Sequence, residues 1–222
     1  VELFKILLEK DIKQNIIKKS IVEFPGESMN SLFKDTIENL NNDVGVFYIY
    51  NKHKKLIYID YSKDIKKKVV KLFTSKKFIP KYVQNNFKSI KVHKTGNVSI
   101  SVIKALNEIR TLKPKINNNI DPKIFYKTEK PDIVSKLKDF IITFNGKNEN
   151  DKSFIFFKNE KFNGYGYFDL FNNINSEQKL NSRLVKVDES NKVKNYVYRL
   201  ISQKKYKKLL TLNEIYKFSD IE

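Results

Sequence analysis

Between Gly45 and Asp60 two short runs of β-branched and aromatic residues, Val46 to Tyr50 and Leu56 to Asp60, flank the polar stretch Asn51 to Lys55. Residues of this kind suit a pleated, half-buried surface, and so short a polar interval points to an antiparallel hairpin. The rest of the segment must be built around that hairpin. Ser62 is placed to cap a basic helix running from Lys63 to Phe73. Phe87 to Lys94 alternates as a third strand, and Val98 to Leu112 has helical periodicity until Pro114 stops it. Three antiparallel strands with helices on a face predict a small α+β domain over residues 44–117.

The flanks have a different character. Val1 to Asp11 places Leu3, Phe4, Leu7 and Leu8 on one helical face, which needs a partner to pack on. The pattern loosens around Pro25 and Gly26, and Ser31 to Leu40 then makes a short helix ended by Asn41-Asn42-Asp43. Residues 1–43 therefore read as a terminal helix of an upstream domain plus a connector, and the natural protein is expected to extend further upstream. Beyond Asn117, Pro122 and Pro131 mark a linker. Phe140 to Phe144, Ser153 to Lys158 and Tyr165 to Leu170 then predict a meander, with Asn145-Gly146 and Asn163-Gly164 as its turns. Helices near Ser176 to Leu184 and Lys192 to Leu210 would complete a second small α+β unit within 118–222.

Charge narrows the partners. Against 25 acidic residues stand 44 basic ones, a formal net charge of +19, so the surface presents a broad positive field suited to polyanions. Only Arg110, Arg183 and Arg199 are arginine, and the abundance of Lys, Asn and Ile looks like the codon bias of an AT-rich genome. Such bias would raise Glu as well, yet Glu has not kept pace with Lys. Lysine contacts phosphate and does not read bases. The absence of cysteine removes disulfides, Cys-ligated zinc and thiol nucleophiles, and His53 and His93 lie too far apart in sequence to suggest a metal pair. No uncharged apolar run approaches a membrane span, so a soluble, cytoplasmic chain is expected, with no membrane partner.

Taken in order, Gly45-Val46-Phe47-Tyr48, Tyr58-Ile59-Asp60, the basic helix, Thr95-Gly96 and Lys113-Pro114-Lys115-Ile116-Asn117 resemble the GIY-YIG nuclease domain of the excision-repair incision subunit UvrC. The chain is more closely similar to bacterial proteins that fuse a proofreading-type exonuclease domain to such a module. Val1 to Leu8 looks like the last helix of that exonuclease domain, and the strand ending Gly164-Tyr165-Gly166-Tyr167-Phe168 is similar to the C-terminal region of the fusions, whose cysteine-bearing segment is missing here. The resemblance implies DNA as partner, held by its backbone, and an exonuclease domain upstream in the full-length chain.

In that family two motif tyrosines organise the attacking water, an arginine on the first helix stabilises the phosphate, and a glutamate on the second helix holds a divalent metal. Here the first tyrosine falls on Phe47, which loses the hydroxyl, while Tyr58 and Ile59 match the second motif. Its glycine is Asp60, which adds bulk and a negative charge beside the expected phosphate, and the usual lysine after it is Tyr61. The helix arginine becomes Lys68, without the bidentate fork, and the tyrosine one turn later becomes Leu72. Counted from Thr95-Gly96 or back from Pro114, the metal glutamate falls on Ala105. Asn117 retains the closing asparagine. Glu108, three residues beyond Ala105 on the same helical face, is within reach of a metal at that position.

The resemblance thus implies a degenerate site of Tyr58 and Lys68 with Phe47, Asp60 and Ala105, needing no cofactor, and DNA contacts from Lys63, Lys66, Lys67, Lys71 and Asn117. Two alternatives stay open. One is an active, structure-selective endonuclease using Tyr58, Lys68 and Glu108 with Mg or Mn; the other is an interaction module or remnant with no nucleic-acid role. The bland readings also stand: Tyr58 as core packing, Gly45 as a turn former, Asn117 as a helix end and the lysine run as a solvated face. Tyr165, Tyr167 and Phe168, near Lys158 and Lys161, suit a sheet core better than base stacking.

Overall fold

In the computed structural model, which describes residues 31–116, 127–169 and 174–217, the hairpin forms as β1 (Gly45–Tyr50) antiparallel to β2 (Leu56–Ser62). β3 (Ser89–Lys94) pairs with the other edge of β1, giving the order β2-β1-β3. Phe47 faces Asp60 across the hairpin and Ile49 faces Tyr58. A bulge at Ile49 and Tyr50 then leaves Ile57 without an opposite residue, so Ile57 and Tyr58 both join the cluster that contains Phe47. The helix expected over Val1 to Asp11, the linker residue Pro122 and the candidate Asn117 lie outside the described residues.

Helices cover both faces of this sheet, where the sequence suggested one. That explains why β1 is an unbroken apolar run buried from Gly45 to Ile49. On one face lie α1 (Ser31–Glu38), α2 (Ile65–Thr74) and α3 (Phe78–Asn86), joined to the sheet through Phe33, Phe47, Ile49, Val69, Phe73 and Val83. Phe33 stacks on Phe73 with ring centroids 3.9 Å apart, and Phe87 meets Phe73 edge-on at 5.0 Å. On the other face α4 (Val98–Leu112) brings Ala105 against Val46, Tyr48 and Ile59.

Helix boundaries follow local hydrogen bonding. The cap expected at Ser62 sits at Asp64, whose carboxylate accepts from Lys67 N at 2.9 Å, while Ser62 ends β2 and its hydroxyl accepts from Asp64 N. α3 was not anticipated; Pro80 falls in its first turn, where an N–H needs no intrahelical partner. α4 starts at the Asn97 cap and ends as Lys113 turns left-handed at φ 45°, its N–H bonded to Ile109 O before Pro114.

The second unit is a five-stranded antiparallel sheet. Its centre is the expected meander, β4 (Phe140–Asn145), β5 (Asp151–Lys158) and β6 (Lys161–Asp169), preceded by α5 (Asp132–Leu137). It continues as α6 (Glu177–Ser182), β7 (Leu184–Lys186), α7 (Asn191–Ser202), β8 (Lys208–Thr211) and α8 (Leu212–Lys217), with strand order β7-β6-β5-β4-β8. Asn145-Gly146 lies at the end of the β4 ladder, Asn145 opposite Lys152 and Gly146 N donating to Asp151 O, and the turn itself is made by residues 147–150. Asn163-Gly164 does not turn: Asn163 is the extra residue of a bulge in β6, and the turn is made by Asn159 and Glu160 at φ 50° and 66°. The long second helix also stops at Ser202, and Lys208 to Thr211 leaves to pair with β4, sending Leu209 and Leu210 into different core clusters. Tyr165 is buried in the core. Among the described residues no helix is long and apolar enough to cross a membrane.

α4 also belongs to this second core, where Ile100, Val102, Ile103 and Leu106 meet Phe140, Ile142, Phe157, Val193 and Val197. Its N-terminus is tied to the β4–β5 connection. Asn97 caps the helix with Oδ1 while its Nδ2 donates to Asn145 O at 2.9 Å and Ser153 Oγ at 2.6 Å. Beside it Gly96, at φ +80°, lies so close to Gly146 that a Cβ would stand 1.8 Å from its carbonyl oxygen. Asn97→Ala removes the cap and both cross-ties, and is expected to cost about 2 kcal/mol in urea unfolding. Asn97→Asp keeps the cap acceptor, loses the donor, and should cost about half as much.

Candidate nucleic-acid interface

Phe47, Tyr58, Asp60, Lys68 and Lys71 come together, lining a cavity of about 270 Å³ whose other wall is Leu72, Ser75, Lys77 and Pro80. Alternation along β2 puts Tyr58 and Asp60 on the same face, and α2 returns across that face with Lys68 in its first turn. Phe47 is fully buried with its ring centroid 6.2 Å from that of Tyr58. It supplies packing and no hydroxyl.

Asp60 organises this cavity. Its Oδ2 accepts from the Tyr58 hydroxyl at 2.8 Å and stands 2.8 Å from Lys68 Nζ, and its Oδ1 accepts from Tyr61 N at 2.8 Å. Lys68 also donates to Tyr61 O at 2.8 Å and lies over the Tyr61 ring, 4.9 Å from its centroid. A carboxylate with so little exposure is stable only when its oxygens are satisfied in this way. Lys68 is thereby held against Asp60, with 38% of its side chain still exposed. Burial, and then the Asp60 carboxylate, push the Tyr58 phenol well above its ordinary range. A phenol held protonated and donating to a carboxylate cannot take a proton from water.

The remaining members of the motif lie on the opposite face of the sheet. Tyr48 follows Phe47 on β1 and so leaves the strand on the α4 side, where it donates to Glu108 at 2.5 Å. The other Glu108 oxygen meets Lys104 at 2.6 Å, the i,i+4 neighbour on α4. Glu108 therefore does not join Tyr58 and Lys68 in one site, as the active-nuclease alternative requires. Ala105 is fully buried in an apolar cluster; a carboxylate there would be an uncompensated buried charge. The trio Tyr48, Lys104 and Glu108 was not anticipated, although the Lys104–Glu108 spacing was a readable signal. Nearby, burial and then the charges of Lys104 and Lys147 hold the His93 pKa below its ordinary value.

These donors do not fit a divalent cation. Such an ion needs carboxylate or similar oxygens around it, yet Ala105 offers none, and Asp60 and Glu108 are each already paired with a lysine and a tyrosine hydroxyl on opposite faces of the sheet. Among the described residues no three His, Asp or Glu side chains gather to hold an ion. Of the expected DNA contacts, Lys63, Lys67 and Lys71 are exposed and Lys66 is half-buried, while Lys76 and Lys77 extend the exposed basic surface beyond α2.

The closed pairing has a titration signature. Below pH about 10 the protonated Tyr58 contributes its full share of stability; as pH rises past that value the unfolded phenol ionises first and this share is lost. Phenolate absorbance should therefore show Tyr58 ionising late in the wild type and closer to its ordinary range in Asp60→Asn. Burial keeps the variant's value above ordinary.

No family model and no curated protein matches this chain. Crystal structures of the GIY-YIG N-terminal endonuclease domain of UvrC from Thermotoga maritima are similar to it. A tyrosine-to-phenylalanine mutant of that domain, bound to its catalytic divalent cation, is 19% identical over 41% of this chain and 100% of that chain, with a TM-score of 0.38. A second such mutant is 20% identical with the same coverage and TM-score. The magnesium-bound domain is 19% identical over 40% of this chain and 99% of that one, with a TM-score of 0.37.

Proposed function

We propose that this chain binds DNA through its backbone phosphates and does not hydrolyse them, as a nuclease-derived module of a repair-type protein. The observation that carries this reading is the closure of Tyr58 and Lys68 onto Asp60. Both groups that the motif resemblance assigns to chemistry are paired with the same carboxylate. Lys63, Lys67 and Lys71, at and along α2, remain turned to solvent. Lysine also studs β3 and the second unit, so the positive field is broad. The α2 side is distinguished by the motif order that surrounds it.

A fluorescent duplex titrated across a salt series with magnesium present tests both halves of the proposal. Binding is expected on the order of micromolar at low salt, with log K falling as log salt rises by about 0.9 for each phosphate neutralised. Replacing Lys63, Lys67 and Lys71 together with glutamate should weaken binding at least about tenfold and flatten the slope by about three. Lys68→Ala, which removes a lysine already paired with Asp60, should leave binding within about twofold. A supercoiled plasmid should stay intact with Mg or Mn. Metal-dependent nicking that vanishes in Lys68→Ala and Glu108→Gln would overturn the non-catalytic half, and failure to bind at low salt would overturn the other.

A further inference from the structure

Phe78 has no structural employment. It is 82% exposed, whereas the next most exposed large hydrophobic among the described residues, Leu112, is 54% exposed. It opens α3 immediately after the exposed Lys76 and Lys77, and Lys81, one turn further on, is also exposed. Pro80 and Lys77 belong to the wall of the Asp60 cavity, so Phe78 falls between two wall residues along the chain while itself staying outside the lining.

The position of α3 is set without Phe78. Val83 is its buried residue, and Gln84 Nε2 donates to Leu72 O at 3.0 Å and Ser75 O at 2.9 Å, which fastens α3 to the end of α2. An exposed aromatic ring on an anchored helix, with exposed lysines at neighbouring chain positions, suits a stacked base with its phosphates, because every base offers a π-face and the backbone offers charge. A second copy of this chain is a poor occupant, since each copy carries a net charge of +19. A fully paired duplex is also a poor match, because its bases are already stacked.

We propose that Phe78 is a stacking platform for an unpaired base, so that the preferred partner is DNA in which a single strand leaves a duplex beside the α2–α3 lysines. This rests on the phosphate-binding reading above and adds to it the structure of the DNA.

The test compares a blunt duplex with the same duplex carrying a single-stranded tail, against wild type, Phe78→Ala and Phe78→Tyr. Wild type should bind the tailed DNA about tenfold more tightly than the blunt one. Phe78→Ala should erase that preference while leaving blunt-duplex affinity within about twofold, and Phe78→Tyr, which keeps the ring, should retain it. A preference undiminished in Phe78→Ala, no preference in wild type, or an equal loss on both DNAs overturns the stacking role while phosphate binding stands. If wild type binds neither DNA, both readings fall together. Adsorption of wild type to anionic lipid vesicles that is lost in Phe78→Ala, with tail preference unchanged, would reassign the patch to a membrane surface.

Discussion

α4 is buried along two sides at once. Ile100, Ser101, Val102 and Ile103 are consecutive buried residues, a pattern that no single stripe of a helix produces. Ala105 faces the three-stranded sheet, while Val102 and Leu106 belong to the core of the five-stranded one. Such a helix must have its polar groups satisfied internally: Ser101 and Thr95, both fully buried, share a hydrogen bond of 2.6 Å, and Asn97 serves both the helix end and the neighbouring sheet. The hairpin, the cavity and the second unit are all positioned relative to this shared wall.

This burial bears on the chemistry. Where the motif resemblance assigns a metal-binding carboxylate, α4 has alanine packed against Val46, Tyr48 and Ile59, which suits tight apposition of helix and sheet. The nearest carboxylate on the helix is neutralised by Lys104 and Tyr48. Across the sheet, Asp60 similarly neutralises Lys68. The losses are thus compensated locally, Glu108 pairing with Lys104 and Asp60 with Lys68.

Legibility in the sequence depended on how local each signal was. β1, β2 and α4 were readable because their apolar patterns are long and their termini carry strong markers in Asn97 and Pro114. The turn at Asn159-Glu160 was missed because Asn163-Gly164 carries the stronger local signal; pairing with β5 and β7 on both sides holds Asn163-Gly164 in the strand. Lys208 to Thr211 reads as the tail of a helix until β4 offers it an edge. In each case a non-local strand partner overrode local propensity.

The sequence by itself determined the order of the three strands, α2 and α4 in the first unit, the loss of the motif hydroxyl at Phe47 and of the carboxylate at Ala105, and the excess of positive charge. Only the tertiary structure decided that Tyr58, Asp60 and Lys68 close on one another, that Glu108 lies across the sheet from them, and that Phe78 stays outside. The physical reason is register. Which face a strand residue takes and which helix turn comes back over it depend on pairing between distant segments, and residue spacing along the chain does not encode that pairing.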